Sequence, residues 1–171
     1  MSYTPMSDLG QQGLFDITRL LLQQPDLAAL SETLTRLVQQ SALADEAAII
    51  LWNAGNHRAA RYACDEAGHP VSYEDETVLA HGPVRRLLSR PDALHCDHET
   101  FADTWPQLIR SGLYRPFGYY SLLPLAADGR IFGGCEFLRR DNRPWSEKEF
   151  QRLFTIETTA DLMQASLDLL A

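Results

Sequence analysis

The sequence contains a single lysine, Lys148, among its 15 basic residues, and 23 acidic residues outnumber them. The formal net charge of −8 argues against a chain that grips a nucleic-acid backbone, because basic patches supply that affinity. Apart from Lys148, the basic residues are all arginines, whose planar guanidinium suits carboxylates and phosphates. A bias of surface composition is the simpler explanation of that preference.

Cysteine is also scarce. Cys64, Cys96 and Cys135 are far apart and form no C-x-x-C pair, so the pattern indicates buried free thiols rather than a disulfide framework. No apolar run approaches the roughly 18 residues that would span a bilayer, and the first residues do not resemble a secretory leader. These absences predict a cytoplasmic chain, and its 171 residues fit a single domain over 1–171.

Apolar residues recur at helical spacing over 14–22 and again from Leu27 to Leu37. Pro25 separates the two runs, and Asp26 is a suitable N-cap for the second. Near the other end, Ser146 and Glu149 form an S-x-x-E capping box. The sequence therefore predicts two helices at the start and one helix from Ser146 to the last residue.

Two hairpins are predicted between these helices. An apolar run at 47–52 is followed by a turn-forming quartet and a second segment at 57–64. Segments 119–126 and 130–139 flank Asp128-Gly129, a strong hairpin signal. The stretch 65–117 has the composition of an irregular cover with short helices at 83–90 and around 104–111. The order predicts an α+β fold built on antiparallel pairs.

The second hairpin and the helix after it resemble the C-terminal signature of GAF domains. The letters that carry this likeness are YYSLLPL at 119–125, DGRIFGGCEF at 128–137 and WS followed by E at 145–149. A further resemblance is to the N-terminal sensory region of formate-responsive σ54-dependent transcriptional activators. The segments that carry it are MSYTPMSDLGQQGLFDITR, YEDETVLAHGPVR and RPWSEKEF. This likeness extends over nearly the whole chain.

The resemblance implies a central antiparallel sheet with the N- and C-terminal helices on one face. An irregular helix and loop cover would enclose a ligand pocket on the other face. It also implies a regulatory part of a longer activator, coupled to an ATPase and a DNA-binding domain and responding to formate. The chain has no G-x-x-x-x-G-K-[ST] phosphate loop and no helix-turn-helix pattern, so it is expected to be a non-enzymatic fragment.

A small anion such as formate needs a cation or several aligned N–H donors. His81-Gly82-Pro83-Val84-Arg85-Arg86 offers both, because Pro83 fits the first position of a helix. Arg85 is the predicted carboxylate ligand, with His81 or Arg86 assisting. The alternative is an exposed helix whose arginines pair with acids such as Glu74 or Asp75.

Glu136 lies inside an apolar strand, on the face opposite Cys135 and Phe137. If both faces are covered, its carboxylate needs a partner. An arginine from the cover would serve, and Glu136 would then orient the anion-binding residue; an exposed glutamate is the alternative. Tyr120 is predicted to share the pocket face with Glu136, although a tyrosine there is more often a core residue.

No metal or other cofactor is predicted. His95-Cys96-Asp97-His98 contains ligand types without a closing partner. A related activator that senses nitric oxide holds iron in its GAF domain, and two of its ligand positions align with Tyr120 and Leu138 here. Neither residue type matches, so iron is not expected.

In the last predicted helix, Leu153, Ile156, Ala160, Met163, Leu167 and Leu170 follow a 3-4 spacing. This seam predicts a homo-oligomer formed through the terminal helices, and its first residues also suit packing on the sheet. The leading functional interpretation is an effector-sensing domain. The chief alternative is a structural or inhibitory module that binds no ligand, and an enzyme is the least supported class because no catalytic constellation stands out.

Overall fold

The computed structural model describes residues 2–4, 27–53, 55, 57–127 and 130–153. Seven strands are found there: β1 (Ser2–Thr4), β2 (Glu46–Asn53), β3 (Arg58–Cys64), β4 (Pro70–Glu76), β5 (Ala93–Asp97), β6 (Tyr119–Ala127) and β7 (Arg130–Arg139). The helices within the same ranges are α1 (Leu27–Gln40), α2 (Thr77–Ala80), α3 (Pro83–Ser89), α4 (His98–Thr104), α5 (Pro106–Arg110) and α6 (Glu147–Leu153).

The strands form one antiparallel sheet in the order β1-β5-β6-β7-β2-β3-β4. β7 lies near the centre, between β6 and β2, and its residues 133–139 are all buried. Its register places Glu136 opposite Ala48 of β2 and Leu122 of β6. The alternation of side chains along β7 therefore decides which of them enter which core.

The first face of the sheet packs against α1 and α6. Its buried cluster includes Leu34 and Val38 of α1, Phe137 of β7 and Phe150 of α6. The predicted capping box is confirmed, since the Glu149 N–H donates to Ser146 Oγ and the Ser146 N–H donates to Glu149 Oε1, each at 3.1 Å. This cap sets the point at which α6 begins.

The second face packs against α2, α3, α4, α5 and the loops that join them. Leu79, Val84, Leu87 and Phe101 from this cover are fully buried against the sheet. Gly134 helps α3 to approach, because a Cβ atom there would lie 2.5 Å from Leu122 Cδ1 and 3.0 Å from Leu87 Cδ1. Side chains of the protein therefore fill much of the space under the cover.

The α+β fold and both hairpin pairings predicted from the sequence are confirmed. The description of 65–117 as irregular is wrong in part, because this stretch contributes β4 and β5 to the sheet. β4 is an edge strand with many polar residues, and the five residues of β5 (ALHCD) do not alternate strictly between apolar and polar. The three cysteines are buried free thiols, as predicted.

The first predicted helix over 14–22, the Asp128-Gly129 turn and the continuation of the last helix beyond Leu153 lie outside the described residues. The tetrad 95–98 spans the end of β5 and the start of α4. His95 faces the α6 side and Cys96 the cover side. The described residues contain no metal-binding group of three or more histidine, cysteine or acidic side chains.

His95 is a buried titratable residue on the α6 side of the sheet. Its Nδ1 lies 2.9 Å from Ser121 Oγ, and its ring packs edge-on against Phe150 at a centroid distance of 4.2 Å. Its Nε2 has no hydrogen-bond partner among the described residues. Burial, assisted by the charge of Arg86, lowers the pKa of His95 to about 4, so the neutral ring is the form that the folded domain accommodates.

We therefore expect the fold to lose stability as the pH falls from 6.5 towards 4. An unfolded histidine binds its proton near pH 6.5 and the folded one near 4, so the contribution of neutral His95 is present above that window and lost within it. The loss amounts to about 3 kcal/mol at most. Urea unfolding at pH 7 and pH 4.5 should show it for the native chain and much less for His95→Gln. Parallel pH dependences of the two proteins would contradict this assignment.

Candidate functional site

The cover face contains a buried charged network centred on Glu136 of β7. The Glu136 side chain is fully buried. Arg61 Nε donates to Glu136 Oε1 at 2.7 Å, and the hydroxyls of Tyr114 and Tyr120 both donate to Glu136 Oε2. One carboxylate thus receives a guanidinium and two phenol donors, which satisfies its charge without water.

Arg61 comes from β3 and is 2% exposed. Its Nη1 donates to the carbonyl of Leu113 at 3.0 Å, and its guanidinium carbon lies 4.2 Å from the centre of the Tyr114 ring. Burial is the largest single effect and would lower the pKa of Arg61, but the effects of Glu136, Tyr114 and Glu46 together outweigh it, so the pKa is raised. Arg61 is therefore a permanent buried cation.

The two tyrosines are obligatory donors in this network. Burial, and then the neighbouring charge of Glu136, raise the pKa of both Tyr114 and Tyr120 well above the usual value. Both phenols therefore keep their protons at any ordinary pH. Tyr120 lies on the face predicted for it, whereas Tyr114 comes from the loop after α5, for which the sequence analysis proposed no role.

Aromatic rings close over the network from the cover side. Phe101 of α4 lies with its ring centre 4.8 Å from Tyr120, 5.6 Å from Tyr114 and 5.1 Å from Phe117. Such edge-on and tilted contacts fill space and exclude water. The centre of the face where the resemblance implies a ligand pocket is thus packed by the domain's own side chains.

The network reaches solvent at one end, through Glu46, the first residue of β2. Glu46 Oε1 lies 3.4 Å from Arg61 Nη2, and Glu46 Oε2 lies 3.3 Å from Arg115 Nη2. Glu46, Arg61 and Arg115 line a cleft of about 150 Å³, together with Asp65, Glu66 and Tyr73 among others. Within the described residues, this cleft connects solvent to the buried Arg61.

The sequence-predicted site residues fall into two groups. Tyr120 and Glu136 meet in the buried network. His81 and Arg85 are exposed and contact each other, with 3.0 Å between His81 Nδ1 and Arg85 Nη1, while Arg86 Nη1 donates to the carbonyl of Asp92 at 3.2 Å. Anion binding by the second group remains a prediction.

One expectation about this site needs correction. The prediction that an arginine from the cover is the partner of Glu136 is wrong. The alternative of an exposed glutamate is wrong as well, since Glu136 is buried. The partner is Arg61 of β3, within the sheet. In β3, Arg61 lies on the same face of the strand as the buried residues Ala59 and Ala63. This alternation is the sequence signal that could have identified Arg61, and no such signal marks Glu46 or Arg115.

The sheet order, the two helices on one face and the helical cover on the other are those of a GAF domain. The GAF domain of an Acinetobacter phosphoenolpyruvate-protein phosphotransferase superimposes with a TM-score of 0.53 and 16% identity, covering 95% of each chain. The corresponding domain from Coxiella burnetii gives 0.52 and 13%, covering 96% of this chain and all of its own. The chain therefore has the GAF fold.

The sequence relatives are more specific. The chain is 73% identical over 155 residues to the formate hydrogenlyase transcriptional activator of Salmonella typhimurium, and 70% identical over 155 residues to FhlA, the Escherichia coli activator of the same description. The match covers 91% of this chain and 22% of each relative. The chain thus corresponds to one region of the formate hydrogenlyase transcriptional activators and spans about a fifth of their length.

No protein-family model matches it, and no helix among its described residues is long and apolar enough to cross a membrane.

Replacing Arg61 by methionine should destabilise the domain by about 3–5 kcal/mol, because Glu136 would remain buried without its cation. The matched control is Arg110→Met, which changes an exposed residue at the end of α5, with an expected change within about 0.5 kcal/mol. Denaturant unfolding of both variants measures the difference. If Arg61→Met cannot be purified, Tyr120→Phe should still cost about 1.5–3 kcal/mol as a lost donor to a charged group. Equal stabilities of Arg61→Met and Arg110→Met would refute the structural role of this pair.

Proposed function

We propose that this domain is the regulatory sensing domain of a σ54-dependent transcriptional activator and that it responds to formate. It works in the cytoplasm, without a catalytic reaction of its own and without a cofactor. The observation that carries the proposal is the carboxylate-binding network of Arg61, Tyr114 and Tyr120, in a domain that closely resembles formate hydrogenlyase transcriptional activators. Formate is the smallest carboxylate, so it presents the same group that Arg61 contacts in Glu136 and in Glu46.

The proposed mechanism is a shift between two arrangements of the domain. Formate can bias them only to the extent that it binds one better than the other. The readout passes through α6, whose first turn is tied to β7 by the 2.6 Å ion pair between Arg139 and Glu149. A downstream ATPase domain in the longer protein would receive the change.

A second candidate function is a structural or inhibitory GAF module that binds no ligand. The observation that favours it is the occupation of the buried network by Glu136 itself, under a closed aromatic cover. In that case the domain would mediate assembly or restrain the ATPase, and its stability would not depend on small anions.

Calorimetric titration separates these two candidates. The sensing function predicts saturable heat when formate is added at millimolar concentration, and a weaker response to acetate, whose methyl group needs extra room. Sodium chloride at the same ionic strength is the control for general salt effects. No heat from a folded protein would support the structural module instead.

We also propose that the domain forms a homodimer through its terminal helices, on the strength of the apolar seam that runs from Leu153 to Leu170 in the sequence. Equilibrium sedimentation at tens of micromolar should give about twice the monomer mass of 19.3 kDa. The double variant Leu167→Glu/Leu170→Glu should sediment as a monomer, because it places charges in the seam. A native chain that is monomeric at these concentrations would rule the dimer out.

A further inference from the structure

The solvent-facing end of the charged network has the geometry of a carboxylate receptor. The two oxygens of Glu46 contact different guanidiniums: Oε1 faces Arg61 and Oε2 faces Arg115. A free carboxylate anion bound between two arginines would present its oxygens in the same way. Among the described residues, the carboxylate in that position is the side chain of Glu46, the first residue of β2.

The two internal carboxylates are held with unequal strength. The contact between Arg61 Nε and Glu136 is 2.7 Å long, within the usual range for a charge-assisted hydrogen bond. The contacts of Glu46 are longer, at 3.4 and 3.3 Å, and its side chain is 9% exposed against none for Glu136. Arg115 is 25% exposed. Glu46 is thus the carboxylate that can leave at the smaller cost.

We propose that a small monocarboxylate anion binds in the 150 Å³ cleft by taking the place of the Glu46 carboxylate between Arg61 and Arg115. This inference rests on the proposed sensing function and assigns its site. The bound anion keeps both guanidiniums neutralised, while Glu46 turns towards solvent. Binding is therefore an exchange of one carboxylate for another, and Glu136 remains in place.

The rim of the cleft restricts which anions enter. Asp65 and Glu66 line it beside the arginines, so a second negative charge on the ligand meets repulsion. Formate has three non-hydrogen atoms, and the ligand-efficiency limit for such a small molecule corresponds to a Kd no tighter than about 0.5 mM. The site should thus accept a monoanion such as formate and reject oxalate.

Glu46→Gln tests the exchange directly. The amide keeps the shape of the side chain but no longer competes as an anion, so formate affinity should rise on the order of tenfold as the site becomes fully available. Arg115→Gln should reduce formate binding below detection, because it removes the outer guanidinium. Calorimetry at matched ionic strength gives the affinities, and the formate-induced rise in the thermal midpoint provides a second measurement on any variant of lower stability.

Two matched controls locate the site. Arg110→Gln removes an exposed arginine of α5 that does not line the cleft, and it should leave formate binding unchanged. Arg85→Gln removes the arginine at the start of α3 and should also leave it unchanged. Loss of formate binding in Arg85→Gln with normal binding in Arg115→Gln would overturn this inference in favour of the α3 site and leave the sensing function standing.

The remaining outcomes are equally decisive. Equal formate affinity of the native chain, Glu46→Gln and Arg115→Gln would overturn the cleft site while keeping the sensing function. Binding by Glu46→Gln with none by the native chain would support the site and count against sensing by this domain alone. No binding by any folded variant would overturn both.

Discussion

The cation of Arg61, buried inside the cover-side core, is the constraint on which the rest of this face depends. Removing a guanidinium from water costs several kcal/mol unless partners replace the solvent. Glu136 supplies the opposite charge, and the carbonyl of Leu113 and the ring of Tyr114 complete the environment. The loop after α5 therefore contacts Arg61 and Glu136, so the cover is joined to the sheet by polar contacts as well as by apolar packing.

The local pattern of apolar, polar and turn-forming residues was sufficient to predict much of the fold and part of the site. Apolar runs and turn residues gave both hairpins, and strand parity put Tyr120 and Glu136 on one face. Strand parity separates Arg61 from the exposed Arg58 of the same strand. Parity could not pair Arg61 with Glu136, because 75 residues separate them and the pairing depends on the register of β3, β2 and β7.

Charge balance decides how an anion can use this network. Arg61 and Arg115 carry two positive charges, and Glu136 and Glu46 carry two negative ones. An added anion would leave the partly buried group with a net negative charge, which desolvation makes costly. Replacing Glu46 keeps the group neutral. The same balance explains how one structure can support both a ligand-free module, with Glu46 in place, and a receptor, with Glu46 released.

The position of Glu46 also gives such an exchange a short route to α6. The N–H of the adjacent Asp45 donates to the carbonyl of Leu138, and Asp45 Oδ2 accepts from the N–H of Arg140. Between them, Arg139 is 3% exposed and donates to the carbonyl of Leu43 and to Glu149 in the first turn of α6. These hydrogen bonds join the start of β2 to the buried Arg139, so a displacement at Glu46 has a continuous path to that guanidinium. The ion pair of Arg139 with Glu149 then extends this path to the start of α6.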